Sequence, residues 1–134
     1  AILGLNQDLG SQSGFLNVTA IENPLDPKYS KKLSLAGYSG DFQESETAGV
    51  HSACSIHEVK AGIYLHDCAS WFGSSGSSLI TQLQGEDRAS VVALHIAQRT
   101  LKSDPNSFRF LNTLNSMSMY ITTQNTLNFH NFPH

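Results

Sequence analysis

The chain has 134 residues, 40% hydrophobic and 14% charged, with 8 Lys+Arg against 11 Asp+Glu. That length suits one compact domain over residues 1–134 and leaves little room for two. The charge balance excludes a basic nucleic-acid footprint, and the longest apolar runs, such as Val91–Leu94, fall far short of the ~20 residues of a membrane-spanning helix.

Charged residues stand well below the roughly 25% usual in soluble domains, and Ser, Asn, Thr and Gln take their place. Such surfaces suit β-sandwiches and barrels more than helical bundles. The chain opens on Ala1-Ile2-Leu3 with no initiator Met and no leader, so it reads as a processed product or one piece of something larger. Short runs rich in β-branched and aromatic residues follow, punctuated by Gly, Pro, Ser and Asn, and these predict strands at Ala1–Leu5, Phe15–Ala20, Lys32–Ala36, Cys54–Val59, Gly62–His66, Ser77–Leu83, Ser90–Ile96 and Phe108–Asn112. Asn23-Pro24-Leu25-Asp26-Pro27 and Gly37-Tyr38-Ser39-Gly40-Asp41 are turns on chemical grounds, the second leading into an acidic loop with Glu44 and Glu46. Only Ser116–Leu127, at the C-terminal end, is predicted as a helix, and its Thr and Asn make it a weak one.

The expected fold is therefore all-β, an antiparallel barrel with a C-terminal helix. Alternate side chains fill such a barrel. The alternation is visible in Lys32-Leu33-Ser34-Leu35-Ala36 and in Ile63-Tyr64-Leu65-His66. In Val91-Val92-Ala93-Leu94 a continuous apolar run replaces it, as in a strand covered on both faces.

The two cysteines suit one staple rather than a disulfide-dense scaffold. If Lys60-Ala61-Gly62 is a hairpin turn centred on Ala61, Cys54 and Cys68 face each other across two strands, close enough for a bridge. Two buried reduced thiols are the other reading. A bridge favours a secreted or lumenal location.

The most specific segment is Ser70-Trp71-Phe72-Gly73-Ser74-Ser75-Gly76-Ser77-Ser78-Leu79-Ile80. Gly73 and Gly76 permit backbone angles closed to other residues, so the turn can present Ser75 outward and aim nearby N–H groups into a nest that holds an oxyanion. Ser75 is then a candidate nucleophile that needs an adjacent base. A Ser/Gly-rich hairpin loop without chemistry fits the same residues.

Gly73-Ser74-Ser75-Gly76-Ser77-Ser78-Leu79 resembles the nucleophile signature of chymotrypsin-like (trypsin-like) serine peptidases, especially the branch with bacterial glutamyl endopeptidases. Leu35-Ala36-Gly37-Tyr38-Ser39-Gly40-Asp41 is similar to the family's Gly-Tyr-Pro-Gly-Asp turn. His66-Asp67-Cys68-Ala69-Ser70 is similar to its approach to the nucleophile, and Val91-Val92-Ala93-Leu94-His95 to the strand that walls the specificity pocket. These matches run in family order over about Ala1–Ile96, and Ala1-Ile2-Leu3 itself is similar to the strand just after the family's catalytic Asp. The resemblance implies the second, six-stranded barrel of a double-barrel serine endopeptidase, with the catalytic His and Asp outside this chain. Its partners would be the N-terminal half of the same peptidase and a polypeptide substrate, with no cofactor, metal, nucleic acid or membrane. On its own the chain is expected to be inactive.

By the same resemblance, Ser75 is the nucleophile and the N–H groups of Gly73 and Ser75 form the oxyanion hole. Ser70 and His95 shape the primary pocket, where a hydroxyl and an imidazole suit an acidic side chain. Equally, His95 is a strand residue kept in relatives of other specificity. Ile96, Ala97 and Gln98 form the edge that pairs with an extended substrate, with Gln98 narrowing the pocket where relatives carry Gly. Ser74, Ser78 and Ala69 depart from the family's usual residues, and Trp71 and Phe72 are bulkier than usual. An inactive homologue serving as a binding or structural module is thus the alternative, and a virus-type peptidase is a second. No internal His is expected to supply the base: Val50-His51-Ser52-Ala53-Cys54 only loosely echoes a catalytic His motif. A metal site of His57, His66 and Asp67 is less fitting than ordinary exposed strand residues.

Overall fold

The computed structural model describes residues 4–99 and 115–120. It is all-β apart from one short helix and brief helical turns. In chain order, α1 (Leu9–Ser13) is followed by β1 (Asn17–Val18), β2 (Leu33–Tyr38), β3 (Ala48–Cys54), β4 (Ile56–Lys60), β5 (Ile63–His66), β6 (Ser78–Thr81), β7 (Ser90–Arg99) and β8 (Asn115–Tyr120). Pairing runs β3-β2-β6-β7-β8-β5-β4, and all these ladders are antiparallel. Strand β1 lies parallel to the start of β7, where β8 has not yet begun to pair. Among the described residues no ladder joins β3 to β4, although only Ser55 separates them in sequence.

The core draws on most of these strands. Leu33 and Leu35 of β2, Leu79 of β6 and Val92 and Ala93 of β7 pack with Ile56, Tyr64 and both cysteines. Burial alternates along β2 as expected. It does not alternate along β5, where Tyr64, Leu65 and His66 are all buried, the pattern of a strand covered on both faces. The Val91–Leu94 run is covered less evenly: Val92 and Ala93 are fully buried, but Leu94 is 46% exposed.

Several expected boundaries change. The predicted strand Cys54–Val59 is two strands broken at Ser55, and β3 begins well upstream, in what reads as a loop. Ala53 takes φ +63° there and turns the chain. Of Phe15–Ala20 only Asn17–Val18 pairs. The expected helix at Ser116–Leu127 is replaced, over Asn115–Tyr120, by β8, since Ser116-Met117-Ser118-Met119-Tyr120 alternates with the period of a strand and finds partners on both edges. The rest of that helix, residues 1–3 of Ala1–Leu5, and Phe108–Asn112 lie outside the described residues; Gly4 and Leu5 are not in a strand.

The cysteines form a disulfide, Cys54–Cys68, with Cα atoms 5.0 Å apart. The register that aligns them differs from the expected one. The turn has two central residues, Ala61 (φ +47°) and Gly62 (φ +83°), both left-handed as a tight hairpin of the primed kind requires. Lys60 therefore pairs with Ile63, which taken alone sets Cys54 one residue out of line. A bulge at His57 restores the register, so that Ile56 pairs with His66, and Cys54 meets Cys68.

Candidate functional site

The serine segment leads from the Cys68 side of the hairpin into β6 through two successive turns. The Ser74 N–H donates to the Trp71 carbonyl at 3.0 Å and the Ser77 N–H to the Ser74 carbonyl at 3.0 Å. Gly73 (φ +96°) and Gly76 (φ +86°) hold the third position of each turn, which must be left-handed and so favours glycine. Ser74 belongs to both turns. It is buried, and its Oγ accepts the Trp71 N–H at 3.1 Å, so this hydroxyl caps the loop from within. Ser75, next along, is exposed.

Two other segments fix this loop. On one side the Gly76 N–H donates to the His95 carbonyl at 2.8 Å, and the His95 N–H donates to the Ser77 carbonyl at 2.9 Å. Both backbone groups of His95 thus hold the serine loop. On the other side the turn after β2 grips it. The Gly40 N–H donates to the Phe72 carbonyl at 2.7 Å, and a Cβ on Gly40 would stand 2.9 Å from that oxygen. A Cβ on Gly37 would fall 1.9 Å from Ser77 Oγ. The glycines of the Gly37–Asp41 motif therefore allow two stretches of backbone to approach closely, a role that the turn chemistry alone does not reveal.

Ser75 lines a shallow cleft of about 240 Å³ with Tyr38, Gly73 and Gly76. Among the described residues the N–H groups of Gly73 and Ser75 donate no hydrogen bond. Behind the loop, a cavity of about 270 Å³ is walled by Leu35, Phe42, Val50, His51 and the buried Ser74 and Ser77. With Phe42, Asp41 also lines it, just before the acidic turn in which Gln43, Glu44 and Ser45 all take positive φ, a strained run for residues with a Cβ.

The expected pocket residues line neither of these two hollows. Ser70 and His95 are both buried. His95 meets His66 edge to face, ring centres 5.8 Å apart, an association the sequence did not suggest. Burial first, and the neighbouring His95 with it, lower the His66 pKa to about 4 against the opposing pull of Asp67. Burial also lowers that of His95, whose Nδ1 has no hydrogen-bond partner among the described residues. Past His95 the pairing of β7 with β6 has ended, while Ala97 and Gln98 remain paired to β8. Ile96 is the extra residue of a bulge, 40% exposed. The stretch 96–98 thus has one edge open among the described residues; the side chain of Gln98 lies outside them.

The remaining described histidines are engaged away from Ser75. His51 Nδ1 accepts the Ala69 N–H at 2.7 Å. His57 Nε2 pairs with Asp67 at 2.9 Å. Partial burial of Asp67 acts to raise its pKa, but the Ser55 N–H, 2.6 Å away, and His57 outweigh that and hold it below the usual value. His66 is fully buried, and among the described residues its ring does not converge with His57 and Asp67 into a metal-binding group. His130 and His134 lie outside the described residues. No known family's model matches this chain, and no curated protein matches it.

Proposed function

We propose that this chain is the nucleophile-bearing barrel of a trypsin-like serine endopeptidase. The observation that carries the reading is the serine loop. Ser75 stands exposed between two left-handed glycines, beside a cleft, with the Gly73 and Ser75 N–H groups left without acceptors among the described residues. A carbonyl carbon approached by Ser75 Oγ would place its oxygen near those donors, and preorganised donors of this kind stabilise the tetrahedral oxyanion. No described histidine bonds to Ser75; by the family resemblance, the base that takes its proton and the carboxylate that orients it would come from a part outside this chain.

The strand order supports the six-stranded barrel. The pairing path starts at β3 and ends at β4; if these count as one strand bent at Ser55, the path returns on itself. The open edge of 96–98 suits an extended polypeptide added as a strand. The buried disulfide fits a secreted or lumenal location.

Acidic preference at the cleavage site is the finer proposal. Ser70 and His95 would receive the carboxylate, and His95, neutral when buried, would give charge assistance mainly in acid. A fluorophosphonate probe on the full-length protein tests the nucleophile: labelling at Ser75, abolished by Ser75→Ala, is the expected result. A folded full-length protein that stays unlabelled would refute the reading. It would favour the second one, a catalytically silent module on the same scaffold, which the engagement of His51, His57, His66 and His95 elsewhere supports.

A further inference from the structure

The disulfide has a third soft neighbour. His51 Nδ1 lies 3.6 Å from Cys54 Sγ, and the donor atoms of His51, Cys54 and Cys68 all lie within 4.8 Å of one another. Tetrahedral zinc, with Zn–S about 2.3 Å and Zn–N about 2.0–2.1 Å, sets a sulfur and a nitrogen ligand ~3.5 Å apart and two sulfurs ~3.8 Å apart. One edge of such a tetrahedron is therefore already present. The imidazole is also in the right form. Its Nδ1 accepts the N–H of Ala69, the residue after Cys68, so the proton resides on Nε2, and Nδ1 carries the lone pair that a metal would take in place of that N–H. The left-handed Ala53 between His51 and Cys54 bends the chain so that the two side chains converge.

We propose that reduction of Cys54–Cys68 turns this place into a zinc-binding site, with the two thiolates and His51 Nδ1 as ligands and a water molecule in the fourth position. The disulfide and the metal are then alternative staples of one junction, used in oxidising and reducing surroundings respectively. The chemistry balances with a dithiol reductant. It gives two electrons and two protons to the Cys54–Cys68 bond and becomes a disulfide itself; on binding Zn²⁺ the two new thiols release their two protons. The sulfurs separate by roughly 1.5–2 Å to reach tetrahedral spacing, and the exposed Ala69 N–H turns from Nδ1 to solvent. His51 is exposed whereas both cysteines are buried, so solvent reaches the fourth position from the His51 side.

The test uses the full chain reduced with a phosphine, which takes its oxygen from water, and titrated with Co²⁺ and then Zn²⁺. Expected are one equivalent of cobalt bound with intense thiolate-to-metal absorption and tetrahedral visible bands, and displacement by zinc. At a free zinc concentration about 100 times Kd, the melting temperature of the reduced protein should rise by roughly 10 °C. His51→Ala should weaken zinc binding at least about tenfold, while in the oxidised protein it leaves the fold intact by circular dichroism. The absence of thiolate–cobalt bands in the reduced protein would overturn the proposal. So would cobalt affinity indifferent to His51→Ala, or zinc that binds without raising the melting temperature.

Discussion

Burying His66 next to His95 ties stability to pH, and the size of the effect follows from the structure. The His66 side chain is fully buried, and its pKa falls from 6.5 to about 4. A group whose folded pKa is depressed takes up its proton first in the unfolded chain, so its stabilising contribution is complete above about pH 6.5 and is lost as pH falls toward the folded value. At ~1.4 kcal/mol per pH unit, the gap from 6.5 to about 4 amounts to about 3 kcal/mol, of which about 2 kcal/mol is gone by about pH 5. That is a large part of the 5–15 kcal/mol typical of a domain. Urea unfolding of the wild type and of His66→Gln, at steps from about pH 7 to about pH 4.5, measures it through the midpoint at constant m. The window stays above the range where Asp67 titrates. The wild type should lose stability steeply, whereas the variant, which keeps only the smaller loss from His95, should follow a clearly shallower curve. Parallel curves for the two proteins would refute the assignment to His66.

Three further outcomes are expected. Gly37→Ala brings a Cβ to 1.9 Å from Ser77 Oγ and should destabilise by about 1–3 kcal/mol through overpacking, read as a lowered melting temperature, together with slower probe labelling of Ser75 in the full-length protein. Replacing both Cys54 and Cys68 by Ala opens a loop whose ends are 14 residues apart and should cost about 3 kcal/mol, measured by denaturant unfolding against the oxidised wild type. Because burial lowers the His95 pKa, the ratio of kcat/KM for Glu over Gln at the cleavage site, in the full-length protein, should increase as pH falls below neutral; a ratio constant with pH would remove His95 from the specificity argument.

What the sequence made legible is what depends on local chemistry. The left-handed demands at Gly73 and Gly76, the alternation in β2 and the isolated cysteine pair could all be read from neighbouring residues. What escaped depends on partners distant in the chain. Ala48-Gly49-Val50-His51-Ser52-Ala53 has weak strand propensity and becomes β3 only because β2 offers it a ladder. The His66–His95 contact joins two strands that each pair with β8, so it needs a register no local pattern specifies. The segment Asn115–Tyr120 escapes a reading by composition, which offers a weak helix, because its two-residue period finds the β5 and β7 edges only in the folded sheet. For the cysteines the expected pairing was right although the expected turn was not: the two-residue turn and the bulge at His57 offset each other.

The double grip on the serine loop also bears on when Ser75 acquires its geometry. Gly37 and Gly40 come from chain upstream of the loop and His95 from chain downstream, so the two turns around Ser75 are held in place only after both have docked. Closures between distant segments are the slow ones in folding. Until they are complete, Ser75 is an ordinary hydroxyl on a loose glycine-rich loop, and a nascent or partly unfolded chain carries no organised oxyanion nest. On the proposed reading, chemical competence at this position is thereby coupled to completion of the sheet.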